Sequence, residues 1–452
     1  MSTTTARRTA RKAGAWAILA LLVVVAVVLG GRLTGAGGPA AAAQLPDPQD
    51  MALQATGRGT PTEIAEFWAD AARKDPTNST LVRLLGEAQS ALARSSGDLR
   101  LYAAAEETLR EAVRLAPDDN AARLAFAWVL SAQHRFVEAE LVVSAVLAED
   151  PQSVAALLYV GDLRIELGEL DAAENAIGSA ARQLGGDPPA LLSRWAKLAA
   201  ARGDTPAALR LAEAALLGAG DLDVTLAEGA FYWSQLAHYS FRVGDIDGAE
   251  AAARSALVVD PGNLGARELL ANVLATRGDE EGREEAMSMY ESLLADGPAA
   301  DLHGRLALLL GLEGRGAEAQ WHVDAGLALA RDPHLQTAAE RRHLISFLSE
   351  HDPQLALELA RADLAERRDV EAHAWVAWAL HRTGDTDSAV EALAPVLAAR
   401  TDDPWLLYQA GMILADAGDR EEAQVLLRRA LDINPRFDVR HADLAAERLL
   451  AL

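Results

Sequence analysis

Apolar positions along this chain fall into two regimes. The first is one unbroken run, Ala13–Gly31, which holds no charge and is dominated by Leu, Val and Ala. The second begins near residue 60 and continues to the end. There, Ala and Leu recur at three- and four-residue spacing in stretches of roughly 12–15 residues, the pattern of helices that each bury one face. No alternating Val/Ile/Thr run competes with this outside Val23–Val28, which belongs to the first regime. The pattern predicts an all-α protein.

Punctuation divides the second regime into units. Pro117 and Pro151 are 34 positions apart, and so are Gly384 and Gly418, each followed by Asp. Gly-Asp recurs at 203–204, 244–245 and 278–279, and Asp-Pro or Asn-Pro at 75–76, 150–151, 260–261, 332–333, 352–353, 403–404 and 434–435. Gly can take the left-handed conformation that ends a first helix. Asp then caps the N-terminus of a second helix. The residue before Pro avoids helical angles, so Asp-Pro is expected to end that second helix. Each such hairpin buries only one face, and neighbours must stack to cover the rest.

The segment Pro404–Pro435 resembles the tetratricopeptide repeat. Gly411 takes the small eighth position, Leu414 the eleventh, Gly418-Asp419 the turn, and Ala423, Leu427 and Ala430 the small–large–small positions of the second helix. Similar series start at Asn120 (Ala127, Ala139, Val143, Val146, Pro151) and at Ala230 (Ala237, Gly244, Ala249, Ala253, Ala256, Pro261). Units begin near 79, 120, 154, 189, 230, 264, 300, 336, 370 and 404. The resemblance therefore implies a right-handed α-solenoid of about ten hairpins over 61–452. Thr62–Lys74 reads as an extra leading helix and 437–450 as the closing helix that covers the last apolar face. Insertions depart from the consensus at Ser95–Leu101, Gly185–Pro189, Leu216–Val224 and Glu280–Glu285, and Gln336–Arg368 lacks the Gly-Asp turn. Ala374–Arg382 followed by Gly384-Asp385 resembles exported, membrane-anchored actinobacterial members of the family, and the scarcity of Lys (Lys12, Lys74 and Lys197 only) fits a GC-rich genome.

The run 13–31 is close to the ~20 apolar residues a membrane-spanning helix needs. Arg7, Arg8, Arg11 and Lys12 precede it in the tail 1–12, so the positive-inside rule keeps that end in the cytoplasm and exports the rest. A cleaved signal peptide followed by secretion is the competing reading, with an A-x-A site at Ala41–Ala43. The Gly/Ala/Pro-rich stretch 32–60 is expected to be a flexible linker.

Net charge is -24, and residues 1–32 carry no acid, so the remainder is more acidic still. Such a surface disfavours nucleic acid. There is no cysteine, which excludes disulfides and thiolate chemistry. No phosphate loop, zinc-protease or nucleophile-elbow motif is present, and no gap in the repeats leaves room for a catalytic domain. Neither enzymatic activity nor a cofactor is expected. Seven of the 10 histidines fall in 303–381, but His343/His351 and His373/His381 are each eight apart, which does not make a one-helix chelate, so no metal site is expected.

The resemblance implies a concave groove lined by first-helix positions two, five, nine and twelve. That places Trp128, Phe231, His238, Phe241, Trp378, His381, Trp405 and Tyr408 as binding candidates, with packing between repeats the alternative for these rings. The function expected is a non-catalytic scaffold outside the cytoplasmic membrane for a protein or peptide partner. The alternative is an accessory subunit of a membrane transporter or of nickel/cobalt handling.

Overall fold

The computed structural model describes residues 45–49, 51, 59–96, 99–222 and 224–452. The basic tail and the apolar span 13–31 lie outside the described residues. Among the described residues every regular element is a helix, and no helix is long and apolar enough to cross a membrane.

A leading helix, Pro61–Lys74, is followed by antiparallel hairpins stacked side by side, and His441–Ala451 closes the array. The turn chemistry works as the sequence implies. Gly203, Gly244, Gly384 and Gly418 adopt φ of 86°, 86°, 88° and 90°. The Asp after each accepts a hydrogen bond from a backbone N–H of the next helix: Asp204 from Ala207, Asp245 from Gly248, Asp385 from Ser388 and Asp419 from Glu422. Within a hairpin, a small residue on the first helix admits a large one from the second. A Cβ at Gly411 would sit 2.7 Å from the Leu427 side chain, so these helices touch with nothing to spare.

Three sequence marks turn out to act differently. Asp352-Pro353 does not end a second helix. Asp352 closes Arg341–His351 through its N–H to Leu348, and its side chain caps Pro353–Glu366, so the pair is the turn inside a hairpin. Pro is tolerated there because its missing N–H falls in the first helical turn. Asp403-Pro404 likewise starts a helix, Pro404–Ala417. The expected linker also contains a packed segment: Leu45–Gln49 and Met51 lie against the array. Pro46 sits over Gly220, and Met51 is 2% exposed in a core with Leu216, Val224 and Val259. The insertion Leu216–Val224 supplies that seat.

The array winds far enough that its late units touch its early ones. The N–H of Arg368 donates to the carbonyl of Leu167 (3.3 Å) and that of Asp402 to Gly203 (2.9 Å). The Asn434 side chain donates to the carbonyl of Phe241 (2.7 Å) and Arg436 to that of Arg277 (2.8 Å). Hairpin turns of the first superhelical turn therefore meet inter-hairpin loops of the second. Gly at the turn is what permits it: a Cβ on Gly203 would fall 2.6 Å from the Cα of Thr401. His134 occupies the turn position that is Gly at 168, 203, 244, 278, 314, 384 and 418. It takes φ 58°, stacks on Phe136 at 5.3 Å and receives a hydrogen bond from Arg367 at 2.5 Å. Burial, and then the Arg367 charge, push its pKa down to about 4, so the ring is a neutral acceptor.

Candidate binding cavity

Closure of the superhelix leaves a hollow of about 680 Å³ along its axis. First-turn helices contribute Lys197, His238, Phe241 and Arg305. Second-turn residues contribute Glu371 and Trp405. The volume lies within the ~300–1,000 Å³ of small-ligand clefts.

The hollow is walled by ion pairs. Lys197 Nζ lies 2.7 Å from Glu166. Arg342 holds Asp363 at 2.9 Å, Asp369 at 2.8 Å and Glu371 at 2.8 Å, and Arg242 pairs with Asp403 across the two superhelical turns. Burial alone would raise the Glu371 carboxyl, but Arg342 and Arg242 outweigh it and hold it below its usual range. Burial likewise pulls Lys197 down, and Glu166 and Asp162 more than reverse that. Basic and acidic groups line the hollow in equal number. The result is a wall that is polar and locally charged, without a net sign.

His238 is solvent-exposed on the wall of the hollow. Its ring is open to the hollow, yet the surrounding protein, followed by the Arg242 charge, drives its pKa down to about 3. At neutral pH it is an uncharged donor–acceptor beside Phe241.

The structure separates the eight expected binding residues. His238, Phe241 and Trp405 line the hollow. Trp378 (3% exposed) and Tyr408 (1% exposed) are packed between helices, 5.6 Å apart centroid to centroid, and present no ring face to a partner. Both sit at nominal groove positions, but the tightly wound array presses neighbouring first helices over them. His381 is held against Trp378 (5.3 Å) with Nε2 3.5 Å from Asp416. Trp128 is half-buried near Tyr102 (6.3 Å) under Arg94 (5.6 Å). Phe231 is 51% exposed and is not among the residues that line the hollow. The charged lining escaped the sequence reading, because Lys197, Arg342 and Glu371 look there like ordinary solvated helix positions.

The tetratricopeptide repeat family model matches residues 100–159 and 380–447. Two segments of this chain thus match the tetratricopeptide repeat model. They contain Ala105, Ala127 and Ala139 at one end and Gly411, Ala423, Leu427 and Ala430 at the other. The tetratricopeptide match leaves out the middle of the array, where Gly185–Pro189 and Leu216–Val224 interrupt the pattern. No curated protein matches the chain. Among solved structures, the APC/C hetero-tetramer Cut9-Hcn1 is similar at 15% identity, covering 85% of this chain and 92% of that one with a TM-score of 0.30. The human IFIT1 dimer with PPP-AAAA is similar at 14% identity, covering 86% and 94%, with a TM-score of 0.44. At these scores neither structure carries an argument about the ligand of this chain.

Proposed function

We propose that this protein is a non-catalytic scaffold that receives a short segment of a partner protein in the axial hollow. The observation that carries this reading is the lining itself: Phe241, Trp405 and neutral His238 set among paired charges of both signs. Apolar anchors with satisfied polar groups around them are what a peptide chain, with its alternating side chains and backbone amides, can use. The balanced charge in the hollow and the net charge of -24 overall favour such a partner over a phosphate backbone.

We place the array outside the cytoplasmic membrane, tethered through Ala13–Gly31, on the strength of that charge-free run and the basic cluster before it. The actinobacterial, exported resemblance of Ala374–Arg382 is part of the same proposal.

Crosslinking in intact membranes followed by mass spectrometry, comparing wild type with Phe241→Ala, tests the binding reading. Capture of a defined partner that depends on Phe241, with crosslinks to the hollow's lining, supports it. Crosslinks confined to the outer surface, unchanged by the substitution, would sink it.

A further inference from the structure

Three side chains from three successive first helices converge at the edge of the hollow. Glu268 belongs to Leu264–Thr276, Asp301 to the first turn of Ala300–Leu312, and His343 to the first turn of Arg341–His351. One ligand atom from each lies within 4.8 Å of the others. We propose that Glu268, Asp301 and His343 form a divalent-cation site of the zinc class that clips these three hairpins together.

The donor set fits that ion. An imidazole nitrogen and two carboxylate oxygens are ligands that Zn²⁺ accepts, with water completing a four-coordinate shell. A hard ion such as Mg²⁺ would not call for the imidazole. His343 Nδ1 and Asp301 Oδ2 are already 3.2 Å apart, facing one another. The cation would take the place of the proton between them. Glu268 is half-buried, and no described residue gives its carboxylate a hydrogen bond or ion pair. It is available as a ligand without breaking a contact.

Charge points the same way. Glu340 faces the cluster along with Glu268 and Asp301, while Arg305 stands 3.9 Å from Asp301 Oδ2. With His343 neutral as a ligand, three carboxylates against one guanidinium leave two negative charges, which one divalent ion balances. A site with that deficit, half-shielded from water, attracts a cation.

The location gives the site a purpose. Helix Gly316–Ala330 buries only Gly326 and Ala330, and 331–340 is a long connection with no Gly-Asp turn. The next unit packs on its predecessor through Ala300 and Ala330 against Leu344, Ile345, Phe347 and Leu348. A bond from His343 back to Asp301 and Glu268 spans that joint through first helices. It also fixes two residues of the hollow's wall, Arg305 and Arg342, which lie one turn from Asp301 and next to His343. Within-helix spacing could not reveal the set, because each ligand comes from a different hairpin.

The test uses the full chain stripped with a chelator and titrated with ZnCl₂, read by calorimetry and by thermal unfolding. One equivalent is expected to bind and to raise the unfolding midpoint. His343→Ala and Glu268→Gln should each weaken binding by at least about tenfold. Both positions are partly exposed, and matched circular dichroism in chelator shows whether either variant is misfolded. His303 and His322 form a rival pair, with Nδ1 atoms 2.8 Å apart beside Trp321. His322→Ala should leave binding unchanged. Absence of binding, binding that survives both ligand substitutions, or binding lost in His322→Ala overturns the proposal.

Discussion

The side-chain amide of Asn434 donates to the backbone carbonyl of Phe241 across 2.7 Å, although 193 positions separate them in the chain. Asn434 is fully buried, and its Oδ1 accepts from the N–H of Arg436. One residue of an Asn-Pro mark therefore both ends its own hairpin and holds an early hairpin to a late one. Phe241 is at the same time a residue of the hollow, so this bond ties the winding of the array to the shape of its interior.

Asn434→Ala removes that donor and an acceptor together. The expected loss is about 1–3 kcal/mol of stability, seen as a lower urea midpoint. Asn434→Asp should be at least as costly, because a carboxylate would face the Phe241 carbonyl. An Asp variant as stable as wild type would contradict the assigned bond.

Gly203→Ala and Gly384→Ala separate backbone strain from winding. Both glycines have φ near 90° (86° and 88°), so each Ala carries a penalty of roughly 1–2 kcal/mol. A Cβ on Gly203 also meets the backbone of Thr401, whereas one on Gly384 has nothing within 4 Å. Only Gly203→Ala is expected to open the superhelix. Small-angle scattering should show a larger radius of gyration for it and an unchanged radius for Gly384→Ala.

The closing helix should be sensitive to pH on both sides of a plateau. Facing His441 are Asp438 at 2.8 Å and Glu350 at 3.6 Å, with Arg382 and Arg440 on the same Glu350 carboxylate and the rings of Trp405 and Tyr408 alongside. Burial alone would lower His441, but the two carboxylates overcome it and raise its pKa from 6.5 to about 9. A raised pKa stabilises the fold fully below 6.5, and the contribution fades as pH climbs to 9. Burial opposes, and His441 and nearby N–H donors dominate, the shift of Asp438 from 3.8 down to about 2. That contribution is complete above 3.8 and fades as pH falls toward 2. The two shifts describe one interaction, on the order of 2 kcal/mol. The contribution of this pair, read as the difference in urea midpoint between wild type and His441→Gln at each pH, should therefore be flat between about pH 4 and 6.5 and shrink above it; the midpoints themselves also carry the titrations of His134 and His238 on the acid side and of His343 on the alkaline side.

Trp378→Ala and Phe241→Ala should part company. Trp378 is enclosed among helices, so its truncation is expected to cost about 3–5 kcal/mol. Phe241 is half-buried beside an open hollow, and its truncation should cost clearly less, about 1 kcal/mol, while weakening partner capture. Equal destabilisation in calorimetry would mean that Phe241 is a packing residue like Trp378.

The candidate site was only partly legible in the sequence. Ring-bearing positions could be placed on first helices, and His238, Phe241 and Trp405 do reach the hollow. Trp378 and Tyr408 share the same pattern but are covered, because whether a groove position stays open depends on how closely the next first helix approaches. The ion pairs Lys197–Glu166 and Arg242–Asp403 could not be found, since they join residues from different hairpins and a charge on a helix face reads as solvated. The linker could not be read either: Met51 looks like part of a polar, Gly-rich stretch until the seat made by Leu216–Val224 is seen.

What the sequence determined by itself was local. Periodic Ala and Leu, Gly at the left-handed turn and Asp at the helix cap act within a few residues, so they specify hairpins and their stacking wherever they occur. The tertiary structure decided how sharply those hairpins wind. Small rotations between neighbours add up along the array, and no residue pair near in sequence records their sum. Only when the turns at Leu167, Gly203 and Phe241 meet Arg368, Asp402 and Asn434 is the sum fixed, and with it the hollow.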